Sequence, residues 1–277
     1  MTNTGVVSLL LVIANVAFSY KGFISNAFFE QYKFEVDSIL VRKEYKRLVT
    51  SGFLHVSWMH LIFNMLSLYA FSGAVEYSLG AVNFLIVYFA SLVGGDLLAL
   101  FVHRNHGEYS SVGASGAVCG IIFASIALYP GMSIGFFILP FSVPGWLYGV
   151  LYIAFSIYGI KSKRDNTGHE AHLGGALIGM MTTLIIYPSA FASNYLTILI
   201  ITVPTMVFIY LIVTRPHILL VDHFNSSKNY YSVDHQYNEI KNNNQREIDR
   251  ILDKIGTQGI ESLNRKEKEQ LEEYSKR

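Results

Sequence analysis

The sequence predicts an all-α protein: a polytopic bundle of membrane-spanning helices with a small soluble helical tail. Three observations support this fold class. The 277 residues are 52% hydrophobic and only 15% charged, whereas soluble domains average about 25% charged residues. Seven segments are long and apolar enough, or nearly so, to cross a bilayer, which takes about 20 residues. Residues 1–214 hold 10 of the 21 lysines and arginines, and the last 63 residues hold the other 11.

The first predicted span lacks a basic stretch before it and a clear small-residue cleavage site. We therefore interpret it as a retained span and not as a signal peptide. Several of the later spans are short, and a short helix inside a bundle can begin below the membrane surface. In chain order, the predicted spans are Gly5–Tyr20, Met59–Val75, Ala81–Val102, Ser115–Tyr129, Pro144–Ile160, Ala171–Tyr187 and Tyr195–Thr214.

Two of the segments between the spans are unusually apolar. Residues 21–57 form a long first loop, and its composition favours partial embedding in the membrane surface. Residues 130–143 contain Pro140 and precede Pro144, which predicts an interfacial hairpin or a re-entrant segment.

The chain is thereby divided into a membrane domain (1–214), a polar linker (215–245) and a soluble helical tail (246–277). The linker is rich in Asn and Ser. The tail begins with apolar residues at helical spacing, and Asn264 with Glu267 resembles a capping box that opens a second helix. We therefore expect a small, water-facing helical hairpin.

Charge and cysteine content exclude some classes of protein. The net charge of +1 provides no basic field for nucleic acid, and the single cysteine, Cys119, excludes an intramolecular disulfide framework. All ten basic residues of the membrane domain lie in its first, third and fifth loops. The positive-inside rule places those loops in the cytoplasm.

The stretch SSVGASGAVCGII, residues 110–122, places Ser115 between small residues at the start of an apolar helix. Glycine allows close backbone approach, and the free N–H groups of a first helical turn suit a developing oxyanion. Read alone, the stretch favours a packing role over a catalytic one, because small residues are common at contacts between membrane helices.

His172 precedes Gly175 and Gly179, which share a close-packing face of the same predicted helix. That face would bring the helix against the Ser115 helix and place the imidazole beside the hydroxyl. A neutral imidazole can serve as a general base. The alternative is a histidine that only marks the membrane interface.

His60 and Asn64 are four residues apart and lie on one helix face. An imidazole and an amide that point into the same space can donate hydrogen bonds to an oxyanion. The alternative is a polar contact between helices. We interpret the other intramembrane acids, Asp96 and Glu76, as structural.

A catalytic metal is not favoured, because His169 and His172 are one residue too close for the H-E-x-x-H pattern. A serine and a histidine on separate membrane helices, together with the His60–Asn64 pair, instead have the roles needed for serine hydrolysis.

In this combination the chain resembles the rhomboid intramembrane serine proteases. The motifs are Gly113-x-Ser115-Gly116, Ala171-His172-x-x-Gly175-x-x-x-Gly179 and His60-x-x-x-Asn64, with Arg47 and His55 ahead of them and Gly73-Ala74-Val75-Glu76 after span two. Their order and placement agree over about residues 40–190.

The resemblance implies a rhomboid-like six-span core, to which this chain adds a seventh span. It implies Ser115 as nucleophile and His172 as base, with His60, Asn64 and the backbone around Gly113 and Ser115 stabilising the oxyanion. The implied substrates are single-span membrane proteins cut within or next to their helix. No cofactor is expected, the bilayer and the substrate are the expected partners, and the expected location is the bacterial inner membrane.

Three points differ from the family pattern or stay open. Some relatives have a tyrosine that packs on the histidine, where this chain has Cys119. The tail resembles a short domain attached to rhomboids of Bacteroidetes-type bacteria. Family topology places the first, third and fifth loops outside the cytoplasm, which is opposite to the side predicted by the positive-inside rule.

The alternative function is a catalytically inactive rhomboid-like protein that binds or escorts membrane proteins.

Overall fold

The structure is a computed structural model that describes residues 5–136, 139–162 and 168–214, with seven further positions in the tail (251, 254, 255, 262, 263, 267 and 271). Over these residues the chain is helical apart from two short strand pairs, which confirms the predicted fold class. In chain order, the first five helices are α1 (Val6–Ile24), α2 (Asn26–Tyr32), α3 (Val36–Leu40), α4 (Arg47–Thr50) and α5 (Trp58–Leu79). The next five are α6 (Ala81–His103), α7 (Ser115–Leu128), α8 (Gly145–Ser162), α9 (His169–Ile186) and α10 (Ser189–Thr214).

The seven long helices coincide with the seven predicted spans. Among the described residues, α1, α5, α6 and α10 are long and apolar enough to cross a membrane, and α7 and α8 are shorter apolar helices. α5 runs four residues past its predicted end because it stops only at Gly80, which has a positive φ of 80°. α10 begins six residues early, and it is kinked at Asn194.

α7 lies at the centre of the bundle, and every residue from Gly116 to Ala127 is buried. α9 crosses it at very close range. A Cβ on Gly175 would lie 2.1 Å from the carbonyl oxygen of Gly116, and a Cβ on Gly179 would lie 2.4 Å from the Cα of Gly120. This confirms the close-packing face predicted for α9, since only glycine permits such an approach.

Loop one is a small folded unit and not an irregular connection. It contains α2, β1 (Phe34–Glu35), α3, α4 and a 3₁₀ turn (Ser51–Phe53). Arg47, only 4% exposed, holds it together. Its Nη1 donates to the carbonyl oxygens of Glu30 (2.8 Å) and Lys33 (2.7 Å), and its Nε pairs with Glu44 at 2.6 Å.

Loops one and three meet at one end of the bundle, beside the first turn of α9. β1 pairs antiparallel with β2 (Ser110–Ser111), which immediately precedes α7. At the end of α6, His103 stacks on Tyr109 with 3.6 Å between ring centroids, and its Nε2 lies 3.6 Å from Glu170 in the first turn of α9. The first residues of α7 and α9 therefore lie beneath this group of loops.

At other positions the structure resolves alternatives left by the sequence. The segment after α7 is a hairpin, in which β3 (Ser133–Phe136) pairs antiparallel with β4 (Leu139–Pro144). The carboxylate of Glu76 accepts the N–H groups of Val7 (3.1 Å) and Ser8 (3.0 Å) and so caps α1, which confirms its structural role.

The described tail positions belong to a second compact unit. Within it, Ile251 and Leu263 are buried, and Lys254 pairs with Glu267 at 2.9 Å. The predicted linker over 215–245 and Asn264 of the predicted capping box lie outside the described residues.

Candidate active site

Ser115 is the first residue of α7, directly after a tight backbone segment. Gly113 has a φ of 132°, and a Cβ there would lie 2.7 Å from the ring of His60. Both facts require glycine. The Gly113 N–H donates to the carbonyl oxygen of Ser51 at 3.0 Å, so this amide is directed into loop one.

The structure brings Ser115 and His172 together from positions 57 residues apart. The Nε2 of His172 lies 2.7 Å from the Oγ of Ser115. His172 is in the first turn of α9, three residues before Gly175, so the close crossing of α7 and α9 determines the distance between the two side chains. A hydroxyl and an imidazole at this separation can act as nucleophile and general base.

His60 and Asn64 lie on the first two turns of α5. Seen from the position that a Cβ on Gly113 would take, His60 Nε2 is 2.9 Å away and Ser115 Oγ is 3.7 Å away, so both atoms border one space. Asn64 is 7% exposed, and its Nδ2 donates to the carbonyl oxygen of His60 at 3.0 Å. The first N–H groups of α7, that of Ser115 among them, have no acceptor within their own helix and point toward this end.

Sequence reasoning missed Tyr152 of α8. Its Oη lies 3.1 Å from the Nδ1 of His172 and 2.9 Å from the Sγ of Cys119. Cys119 is therefore linked to His172 indirectly, through the hydroxyl of Tyr152 on another helix. The available signal was a pair of tyrosines, Tyr148 and Tyr152, one turn apart in an apolar helix.

Sequence reasoning cited His55 only as part of the first-loop pattern, but it supports the segment before Ser115. It is fully buried, outside the spans, and burial together with the neighbouring His60 lowers its pKa to about 3. The neutral ring can accept the Ala114 N–H at Nε2 (3.4 Å) while Nδ1–H donates to the Oγ of Ser19 (2.8 Å). We assign this tautomer because Ser19 itself donates to Phe53 O.

Asp96 of α6 also supports the segment before Ser115, through Ser51 of loop one. Its Oδ2 accepts the Ser51 hydroxyl at 3.0 Å, and Ser51 is the residue whose carbonyl receives the Gly113 N–H. The predicted structural role is therefore confirmed: the acid ties α6 to loop one and, through it, to the turn before Ser115.

Comparison with known proteins identifies relatives of the membrane domain. Residues 42–189 match the model of the Rhomboid domain, and residues 231–277 match a family of unknown function (DUF6576). Rhomboid protein 1, mitochondrial, of Saccharomyces cerevisiae is 29% identical over 157 residues, which cover 54% of this chain and 45% of the yeast protein.

Two further relatives match the chain at similar sequence identity. Rhomboid protease GluP of Bacillus subtilis is 29% identical over 174 residues, covering 63% of this chain and 33% of that protein. Presenilin-associated rhomboid-like protein A, mitochondrial, of Danio rerio is 31% identical over 137 residues, covering 48% and 35%. The chain thus spans about a third to a half of the length of these relatives.

Proposed function

The chain belongs to the rhomboid family, and from this premise we propose that it is an intramembrane serine protease with Ser115 and His172 as its catalytic dyad. The observation that carries the proposal is the 2.7 Å separation of His172 Nε2 and Ser115 Oγ, both half-buried, at the start of two crossing helices. The proposed reaction is hydrolysis of a peptide bond within or next to the transmembrane segment of a single-span protein.

In the first step, Ser115 Oγ attacks the scissile carbonyl carbon and its proton moves to His172 Nε2. The tetrahedral oxyanion accepts hydrogen bonds from the Ser115 N–H, His60 and Asn64. His172 then protonates the leaving amine, and the acyl-enzyme is hydrolysed by a water that His172 deprotonates. We propose a steric part for Gly113, since its N–H is bonded to Ser51 while its missing side chain makes room for His60.

The substrate class follows from the chemistry of a membrane helix. Such a helix hides its carbonyl groups in its own hydrogen bonds, so the scissile segment must unwind before attack. Glycine or proline near the cut lowers that cost. We therefore propose single-span substrates with a small residue at the cut and helix-breaking residues close by.

We propose a bacterial plasma membrane as the location, since GluP and the putative rhomboid protease YdcA, both of Bacillus subtilis, are among the relatives. The mitochondrial relatives make an organelle membrane the competing location. Fractionation of the source cells distinguishes the two.

Replacing either dyad residue tests the proposal directly. Ser115→Ala and His172→Ala should each lower cleavage of a model single-span substrate in liposomes by about 10³-fold or more, because the two groups act as a unit. Ser110→Ala, in the strand just before α7, is the matched serine control and should cleave at the wild-type rate. Cleavage that survives in either dyad variant contradicts the proposal.

A fluorophosphonate probe separates a protease from an inactive binding protein. We expect the probe to modify Ser115 in the wild type and to lose that reaction in His172→Ala, because the free hydroxyl is a weak nucleophile without its base. An inactive binding protein would leave the probe unreacted. The wild type, Ser115→Ala and His172→Ala would then all bind the model substrate equally well.

A further inference from the structure

We infer that Tyr152 is the positioning residue for His172, and that Cys119 sets the direction of its hydroxyl. Resting on the proposed function, this inference assigns to α8 a part in the site that a two-residue dyad does not include. Three helices would then supply the catalytic unit: α7 with Ser115 and Cys119, α8 with Tyr152, and α9 with His172.

The four side chains form one continuous series of contacts. Cys119 Sγ lies 2.9 Å from Tyr152 Oη, which lies 3.1 Å from His172 Nδ1. On the other side of the ring, His172 Nε2 lies 2.7 Å from Ser115 Oγ. Both ends of the series are on α7, where Ser115 and Cys119 are one helical turn apart.

The reaction requires one particular arrangement of protons in this series. A neutral imidazole carries a single N–H, and Nε2 must be unprotonated to accept the Ser115 proton. The hydrogen is then on Nδ1 and donates to Tyr152 Oη. The phenol O–H in turn donates to Cys119 Sγ.

The reverse arrangement would stop the reaction. If Cys119 S–H donated to Tyr152, the phenol would donate to Nδ1, and the imidazole hydrogen would be on Nε2, facing Ser115. The phenol donates in both arrangements. The first is completed by the Ser115 hydroxyl, which donates to Nε2, and the reverse by the thiol, which is the weaker donor, so the first arrangement is favoured. The position one turn after the nucleophile therefore suits a residue that accepts better than it donates.

Packing fixes the Tyr152 ring independently of its hydroxyl. The ring meets Phe123 edge-on with centroids 5.7 Å apart, and it stacks on Tyr148 at 5.9 Å. The ring of His172 is 6.5 Å from it, so Tyr152 reaches the histidine through its oxygen and not by stacking. Phenylalanine at this position keeps the packing and removes only the hydrogen-bonding atom.

The test compares Tyr152→Phe with Tyr158→Phe, which removes a hydroxyl from an exposed position of the same helix. One lost hydrogen bond to a neutral group predicts a kcat about five- to tenfold lower in Tyr152→Phe, with KM unchanged. ¹⁵N NMR of histidine-labelled protein should report Nδ1–H for His172 in the wild type and in Tyr158→Phe, and a mixture of tautomers in Tyr152→Phe. The His172 signals are assigned by their loss in His172→Ala.

The Cys119→Ala variant gives a second measurement if Tyr152→Phe fails to fold. It should shift the His172 tautomers in the same direction, and the double variant should be no slower than Tyr152→Phe, because Cys119 acts through Tyr152. A wild-type kcat in Tyr152→Phe, an unchanged tautomer, or fully additive effects would each overturn the inference. Fluorophosphonate labelling keeps the two proposals apart: an unlabelled wild type overturns the proposed function, and equally fast labelling of Tyr152→Phe overturns only the role of Tyr152.

Discussion

Individual residues outside the dyad hold the segment that carries Ser115. His55 accepts the Ala114 N–H, Asp96 binds Ser51, and Ser51 receives the Gly113 N–H. Each of these side chains is buried, so a lost partner would leave a polar group without compensation for its lost hydration. The proposed nucleophile therefore depends on residues from loop one and α6 that do not take part in the proposed reaction.

The buried His55 predicts an acid-sensitive fold. Its pKa is about 3 in the folded protein and 6.5 when unperturbed, so below pH 6.5 the unfolded chain binds a proton that the folded chain does not. The stabilisation is complete above pH 6.5 and is lost progressively as the pH falls toward 3. Between pH 7 and pH 5 the loss is about 2 kcal/mol.

Denaturant unfolding of the purified protein at the two pH values measures this term. His55→Gln keeps a donor and an acceptor but cannot take up a proton, and its stability should change less between pH 7 and pH 5. His106→Gln, at an exposed position, should behave as the wild type does. Equal acid sensitivity in wild type and His55→Gln would show that other groups control the transition.

The oxyanion residues should contribute less than the dyad does. Asn64→Ala is expected to lower kcat by about 10²–10³-fold, because one donor is lost while nucleophile and base stay in place. Cleavage rates in liposomes, corrected for the fraction labelled by a fluorophosphonate, measure the effect. A loss as complete as in Ser115→Ala would assign Asn64 a part in folding or in the dyad itself.

Motif spacing was sufficient to identify Ser115, His172, His60 and Asn64 as candidates, because each belongs to a short pattern on one helix. The same reasoning could not find Tyr152 or Ser51. Their contacts join positions far apart in the chain, and neither residue type is unusual where it stands. Such partners are determined by how the helices pack, which a single sequence does not specify.

Among the elements, the crossing of α7 and α9 controls the geometry of the site. Glycines on both helices let the two backbones touch, and His172 is held at the same crossing. The apolar segments and the Gly175–Gly179 face were sufficient to predict these helices and their contact. The folded form of loop one was not predictable, since Arg47 binds carbonyl groups that no sequence pattern marks.

Widening this crossing should weaken both stability and cleavage. A Cβ at Gly179 would lie 2.4 Å from the Cα of Gly120, so Gly179→Ala must push the helices apart. Overpacking of this kind costs about 1–3 kcal/mol. The melting temperature in detergent and the rate of fluorophosphonate labelling should both fall. Gly131→Ala, where a Cβ would meet nothing within 4 Å, is the control; a Gly179→Ala protein that matches it would show that the crossing tolerates a side chain.

For the whole molecule, the number of spans determines which parts face the same side of the membrane. Four helices, α7 to α10, separate loop three from the residues after Thr214. An even number returns the chain to the side on which it started. We therefore predict that loop three and Thr214, the last residue of α10, face the same side of the membrane if each of these helices crosses it.

Cysteine labelling in intact cells tests this topology. With Cys119→Ala as background, Asn105→Cys in loop three and Lys228→Cys should react alike with a membrane-impermeant maleimide, and Tyr187→Cys, between α9 and α10, should behave oppositely. If Asn105→Cys is labelled in intact cells, the result supports the family topology. If it is labelled only after lysis, the result supports the positive-inside rule. Opposite labelling of Asn105→Cys and Lys228→Cys would mean that an odd number of the four helices cross.

If the chain is the proposed protease, the shortness of α7 makes bilayer thickness part of substrate choice. Its 14 residues extend about 21 Å, less than the roughly 30 Å of hydrocarbon in a typical bilayer. Under the proposed function, Ser115 would work at a fixed depth, and the bond it meets would be the one that the surrounding lipid places at that level. A thicker membrane would present a different residue of the same substrate helix, so the lipid composition of the host would select the cleavage position without any change in the enzyme.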